Sequence, residues 1–187
     1  AASGHDYIRQ LAAAATDEGL TVIPWIKALN TELEGDWQGA CVVTAGGSVV
    51  PNWLCPTRPD TERYIRSYIR SMIRNYHPQY LLIDRLRYPD WSGREVDPSS
   101  LMTCFCPTCE RKMRDDGIDV EEVKSALGRL GAALANGEPD RACAVARDDA
   151  IRAWLGFRAR QIAGLAAVIR DEVGKASSIW LNLWPPV

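Results

Sequence analysis

A short apolar run, Tyr80-Leu81-Leu82-Ile83, breaks off at an acid, Asp84. A near-continuous apolar strand suits a parallel sheet covered on both faces, because neither side of it meets water. An amphipathic helix leads into it. Tyr64, Ile65, Tyr68, Ile69, Met72, Ile73 and Tyr76 recur at helical spacing, and Arg63, Arg66, Arg70 and Arg74 form the opposite face, read here as solvated. Pro59-Asp60-Thr61-Glu62 opens this helix and His77-Pro78 stops it.

The same grammar recurs along the chain. Ile8, Leu11, Ala12 and Ala15 mark a first helix that Asp17-Glu18-Gly19 ends. Leu20 to Ile26 is β-rich, and Pro24 is expected at the C-terminal end of that strand because it has no N–H for the ladder. Residues 30 to 55 read as a long loop with a β-prone piece at Cys41 to Thr44. Residues 89 to 109 form a second long loop. Residues 110 to 135 read as helix, broken at Gly117, and Asn136 to Pro139 as a turn. A long helix from about Asp148 to Val173 turns Trp154, Leu155, Phe157, Ile162, Leu165, Val168 and Ile169 inward, with Gly174 as its cap. Ser178 to Trp184 is a final strand. Helices alternating with strands imply a parallel sheet with right-handed crossovers. Ligands bind such sheets at the strand C-termini.

Length limits how much of such a sheet can close. A complete (β/α)₈ barrel takes about 200 to 250 residues, and this chain has 187. We therefore expect one α/β domain over 1–187, the middle portion of a barrel with about three parallel strands, a loop insertion around 89–110 and flanking helices. It would be either a fragment of a larger protein or a small half-barrel. Lys plus Arg is 22 against 24 Asp plus Glu, a net charge of −2 that offers no basic face for nucleic acid. No apolar run is long enough for a membrane helix.

Cys104-Phe105-Cys106-Pro107-Thr108-Cys109 places three of the six cysteines in one loop. Thiolates so close can converge on zinc, which takes four tetrahedral ligands. Cys55 is the best fourth ligand, because its loop follows a preceding strand and meets the same end of the sheet. Cys41 is second, and His77 sits at the opposite end. Ordinary free thiols, or a thiol-exchange pair Cys106–Cys109, are the alternatives.

Asp84 ends a buried strand, where a carboxylate costs desolvation energy unless it is paired. Strand alternation points Arg85 and Arg87 together and Asp84 with Leu86, so Asp84 need not pair with either arginine. It reads as a catalytic or substrate-binding acid, or as a structural anchor for the loop. Glycoside cleavage needs a second carboxylate. Glu32, Glu34, Asp90 and Glu95 are loop acids that could approach. Trp25, Tyr88, Trp91, Trp180 and Trp184 gather at strand ends, where sugar rings can stack on aromatic faces. Trp25 and Trp184 favour the site, and Trp154 and Trp180 the core.

Leu82-Ile83-Asp84-Arg85-Leu86-Arg87-Tyr88-Pro89 resembles a strand end of TIM-barrel glycoside hydrolases, and Gly19 to Trp25 is similar to their preceding strand. Leu54-Cys55-Pro56, followed by a helix and then Cys104 to Cys109, resembles the four-cysteine zinc site of family-42 β-galactosidases. The resemblance covers roughly residues 18 to 187. It implies a partial (β/α)₈ TIM barrel and a carbohydrate substrate. Structural zinc would sit on Cys55, Cys104, Cys106 and Cys109. Asp84 would act as acid/base or nucleophile, and Trp25, Arg87, Tyr88, Asn182 and Trp184 would line the sugar site. The family carries Asn-Glu at its acid/base strand end where this chain has Asp84-Arg85, so the family's own acid/base assignment does not transfer and the role of Asp84 is read from its place at the strand end. A glycan- or partner-binding half-barrel without catalysis is the alternative, as a homo-oligomer or with the rest of a larger barrel. Thiolate-bound zinc fits a reducing compartment, the cytoplasm.

Overall fold

The computed structural model describes residues 6–30, 38–89 and 101–182. Its elements run α1 (Tyr7–Asp17), β1 (Trp25–Lys27), β2 (Cys41–Val43), β3 (Val49–Leu54), α2 (Pro59–Tyr76), β4 (Tyr80–Asp84), α3 (Pro107–Asp115), α4 (Val120–Ala135), α5 (Pro139–Ala146), α6 (Asp149–Val173) and β5 (Ser178–Leu181). Strands β1, β4 and β5 form a parallel sheet in that order, and β2 and β3 form a separate antiparallel hairpin. No helix among the described residues is long and apolar enough to cross a membrane.

One face of the parallel sheet makes the core. Ile26, Leu81 and Ile83 are buried there, against Ile65 and Ile69 of α2 and Ile169 of α6. Each such aliphatic side chain gains about 1.5–3 kcal/mol by leaving water. Register puts Trp25 beside Leu82 and Leu82 beside Trp180, so all three share the other face. That face is open: Trp25 is 65% and Trp180 50% exposed. Strand β4 is therefore covered by helices on one side only. Trp180, expected in the core, lies instead on the exposed side, because alternation sends Ile179 inward and Trp180 outward. Trp154 is buried as expected, whereas Leu155 is exposed because the inward arc of α6 passes through Ile151, Trp154, Phe157 and Leu165.

Local chemistry explains most element ends. Asp119 and Asp148 cap α4 and α6 by accepting backbone N–H bonds. Gly117 breaks the helical stretch at φ 75°, and Gly174 ends α6 at φ 55°. Strand β1 begins after Pro24 rather than ending there, and the Pro24 carbonyl accepts a bond from Leu82 at 3.0 Å. Proline lacks a donor but keeps its acceptor, so it serves a strand's first pairing position. Strand β3 lies where a loop was expected, and helix α5 follows directly on the expected turn at 136–139. The stripe of α1 buries nothing: Tyr7, Ile8 and Leu11 are all exposed.

Glu172 on α6 ties the two covering helices together. Its carboxylate accepts from Arg70 Nε at 2.7 Å and from Arg66 Nη1 at 2.8 Å, so part of the arginine face is engaged rather than solvated. These bonds, Arg70's first, hold the Glu172 carboxyl below its ordinary range. A depressed folded-state value contributes stability that is present above the ordinary value of about 4.3 and lost as pH falls through the depressed one. Glu172→Gln should therefore lower the urea midpoint at pH 7, and the gap to the unmodified protein should close by pH 3. The effect will be modest, because the arginines are partly solvated. Equal midpoints at pH 7 would show that the bridge adds nothing.

Candidate metal centre and strand-end acid

Three local features deliver the four sulfurs. The β2–β3 hairpin places Cys55 just past β3, with its amide bonded to the Ala40 carbonyl at 2.8 Å. Residues 102–105 then lie along β2 like a further strand. Ala45 N–H donates to Met102 O at 3.0 Å and Phe105 N–H to Val43 O at 2.8 Å. This seats Cys104 and Cys106 beside Cys55. Helix α3, opened by Pro107 at its first turn, brings Cys109 round from below.

The four sulfurs are buried and lie within 4.8 Å of one another. Cys55 Sγ is 3.7 Å from Cys106 Sγ and 3.4 Å from Cys109 Sγ. A tetrahedron of thiolates about 2.3 Å from its centre has edges of about 3.8 Å, so the set fits a metal of zinc's size. A disulfide needs about 2.05 Å, and all six cysteines are free. The wall around the sulfurs supplies donors. Val43 and Cys106 amides approach Cys104 Sγ at 3.3 and 3.4 Å, and Thr57 Oγ1 lies 3.0 Å from Cys55 Sγ and 3.2 Å from Cys109 Sγ. Such outer bonds orient and stabilise metal thiolates. Mutual hydrogen bonding pushes Cys106 down, chiefly from Cys104, while Cys104 and Cys109 are pushed up. Cys41, the second choice as ligand, lies outside the cluster.

Asp84 occupies the C-terminal end of β4 and is 3% exposed. Its carboxylate is ringed by donors. Oδ1 accepts from the Arg85 amide at 2.7 Å and from Asn182 Nδ2 at 3.1 Å, and Oδ2 from Trp25 Nε1 at 3.1 Å. Arg87 Nη1 stands 3.6 Å from Oδ1 and Arg85 Nε 3.9 Å from Oδ2. The expectation that Asp84 would avoid both arginines fails at Arg85, whose φ of 56° ends strand alternation. The chain turns there and carries both guanidinium groups back over the acid. The strand was expected to end at Asp84, but side-chain alternation was carried past it, and nothing local in Asp84-Arg85-Leu86 signals the left-handed turn.

Three of the expected sugar-lining residues thus converge on Asp84: Trp25, Arg87 and Asn182. Tyr88 does not. It is buried, its ring lies 4.4 Å from the Arg158 guanidinium, and the cysteine cluster is within electrostatic reach. Burial, then the charge of Cys109 and Cys55, pushes its hydroxyl well above the usual tyrosine value. Trp184, Trp91, Glu32, Glu34, Asp90 and Glu95 lie outside the described residues.

Metal analysis by native mass spectrometry, on protein purified without chelator, should find one zinc per chain. Cys55→Ser and Cys106→Ser should each abolish it, since three thiolates in a buried tetrahedral site bind far more weakly than four. Metal-free protein with six titratable thiols would refute the site.

No protein-family model matches the chain, and neither does any curated protein sequence. Among solved structures the chain is similar to the catalytic domain of beta-amylase from Paenibacillus polymyxa. The TM-score is 0.58 at 14% identity, over 91% of this chain and 50% of that one. The chain thus spans about half the length of the structure it matches. It is an α/β protein with three parallel strands and flanking helices, and its fold is similar to that of the beta-amylase catalytic domain.

Proposed function

We propose that the chain is part of a (β/α)₈ hydrolase that processes carbohydrate, with a four-cysteine zinc that staples two strand-end loops. The observation that carries this reading is the convergence of Trp25, Arg87 and Asn182 on a buried acid at the C-terminal end of β4. In barrels of this kind reacting groups come from strand C-termini. The likeness of the fold to a beta-amylase catalytic domain and the resemblance of the clustered cysteines to the zinc motif of family-42 β-galactosidases support this reading.

The geometry narrows the part Asp84 would take. Its carboxylate partners described above are donors, which suits a charge-stabilising acceptor or a nucleophile better than a general acid. The indole of Trp25 is anchored by its N–H to Asp84 while the residue stays largely exposed, so a sugar ring can stack on it beside the acid. Asn182 and Arg87 would then hold hydroxyls. Zinc, when bound, supplies structure: it joins the Cys55 turn to the 104–109 loop. The second carboxylate would come from a loop acid or from another strand of the barrel.

Asp84→Asn in the full-length protein should cut hydrolysis of an accepted glycoside at least about a hundredfold, with metal content unchanged. Unchanged turnover on every accepted glycoside would remove Asp84 from the reaction.

A second reading rests on the open sheet face. Trp25 and Trp180 are exposed on one side of the sheet, and α1 presents an uncovered Tyr7, Ile8 and Leu11. A half-barrel could bind glycan there without turnover, or meet further strands along β1 and β5. On this reading Trp25→Ala and Trp180→Ala should each abolish binding to a glycan array. Hydrolysis of the same glycans by the unmodified protein would exclude it.

A further inference from the structure

Among the described residues, Arg158 is the arginine that the fold wraps in aromatic rings. Its guanidinium carbon lies 4.4 Å from the Tyr88 ring centre and 4.5 Å from that of Trp154. Trp154 in turn stacks on Phe105, between Cys104 and Cys106, at 6.2 Å and an interplanar angle of 14°. The column runs from the cysteine loop to α6. Arg158 Nη1 donates to the Leu101 carbonyl at 3.3 Å, and Nε is buried without a hydrogen-bond partner. No carboxylate among the described residues forms an ion pair with it. Burial alone draws Arg158 down to about 10, opposed by charge on Tyr88, Cys104 and Cys109.

A guanidinium that is half-buried, with its Nε shut off from water and no acid partner, is costly unless another negative charge offsets it. Four thiolates around a divalent ion carry about two net negative charges. Two other cations near the cluster have acid partners. Lys124 Nζ lies 2.7 Å from Glu110, and Arg58 Nη2 lies 3.9 Å from Asp60. We propose that Arg158, clamped between Tyr88 and Trp154, is the counter-charge that stabilises the metal-loaded tetrathiolate and tightens its hold on the ion. Arg158 touches neither metal nor substrate and acts as a positioning residue through the field it sets at Cys104 and Cys109. This rests on the metal centre proposed above.

The test is zinc affinity of the full chain, measured by competition with a chromophoric chelator. The melting temperature of the zinc-stripped protein is followed in parallel. Arg158→Met removes the charge and keeps a long apolar stem. Arg158→Gln removes the charge and keeps a donor for Leu101. Each should weaken zinc binding by about 10- to 100-fold, the range for lost outer-sphere support, while shifting the stripped protein's melting temperature little. Arg158→Lys should stay within about threefold of the unmodified protein. Affinity unchanged in the neutral variants would overturn the proposal. So would an equal loss in all three, which would mean packing rather than charge. If only one neutral variant folds, the other and the lysine variant decide. An unmodified protein that takes up no zinc fails differently, because it removes the metal centre itself.

Discussion

The structure depends on burial of one face of a three-stranded parallel sheet under α2 and α6. Ile26, Leu81 and Ile83 meet Ile65, Ile69 and Ile169 there, and that contact sets which way every alternate side chain points. Once those residues face the helices, Trp25, Leu82 and Trp180 must face the other way, and Asp84 with them. The strand-end acid is thus positioned by the core. Its surroundings follow from register: Lys27 pairs with Asp84, and the chain past Leu181 brings Asn182 alongside.

The metal centre depends on a second, independent arrangement. The β2–β3 hairpin meets the sheet through backbone bonds near Leu29 and Asn30, with Leu54 donating to the Leu29 carbonyl at 2.8 Å, and through Val42, Trp53 and Leu54, which share its core. Residues 102–105 complete it as an added edge. Three of the sulfurs sit on or beside these strands and the fourth on α3, all buried in the core, and an ion among them would lock two loops of high sequence separation. The acid and the sulfurs lie in adjoining layers, and Tyr88, four residues past Asp84, reaches the cluster rather than the acid. One short segment therefore serves both sites, with Arg87 over the carboxylate and Tyr88 under Arg158.

The halves of the sheet differ in how they meet water. The helix-covered half is a closed core. The other face leaves Trp25 and Trp180 exposed, and α1 leaves Tyr7, Ile8 and Leu11 exposed.

Sequence alone determined whatever depends on spacing within one element. The helical stripe of α2, the apolar run into Asp84, the break at Gly117 and the cap at Gly174 could all be read from local pattern, because propensity and periodicity act over a few residues, whereas Cys55 joined the 104–109 cysteines only through the expected strand order and a family resemblance. Tertiary structure decided what depends on contacts between distant segments. Strand β3 exists because β2 pairs with it, and Pro24 begins a strand because Leu82 needs its carbonyl. Trp180 faces solvent because Ile179 faces α6. Arg85 and Arg87 return to Asp84 because the chain turns left-handed where the sheet ends. Alternation predicts direction only while a strand lasts, and where it stops is set by the neighbouring strand.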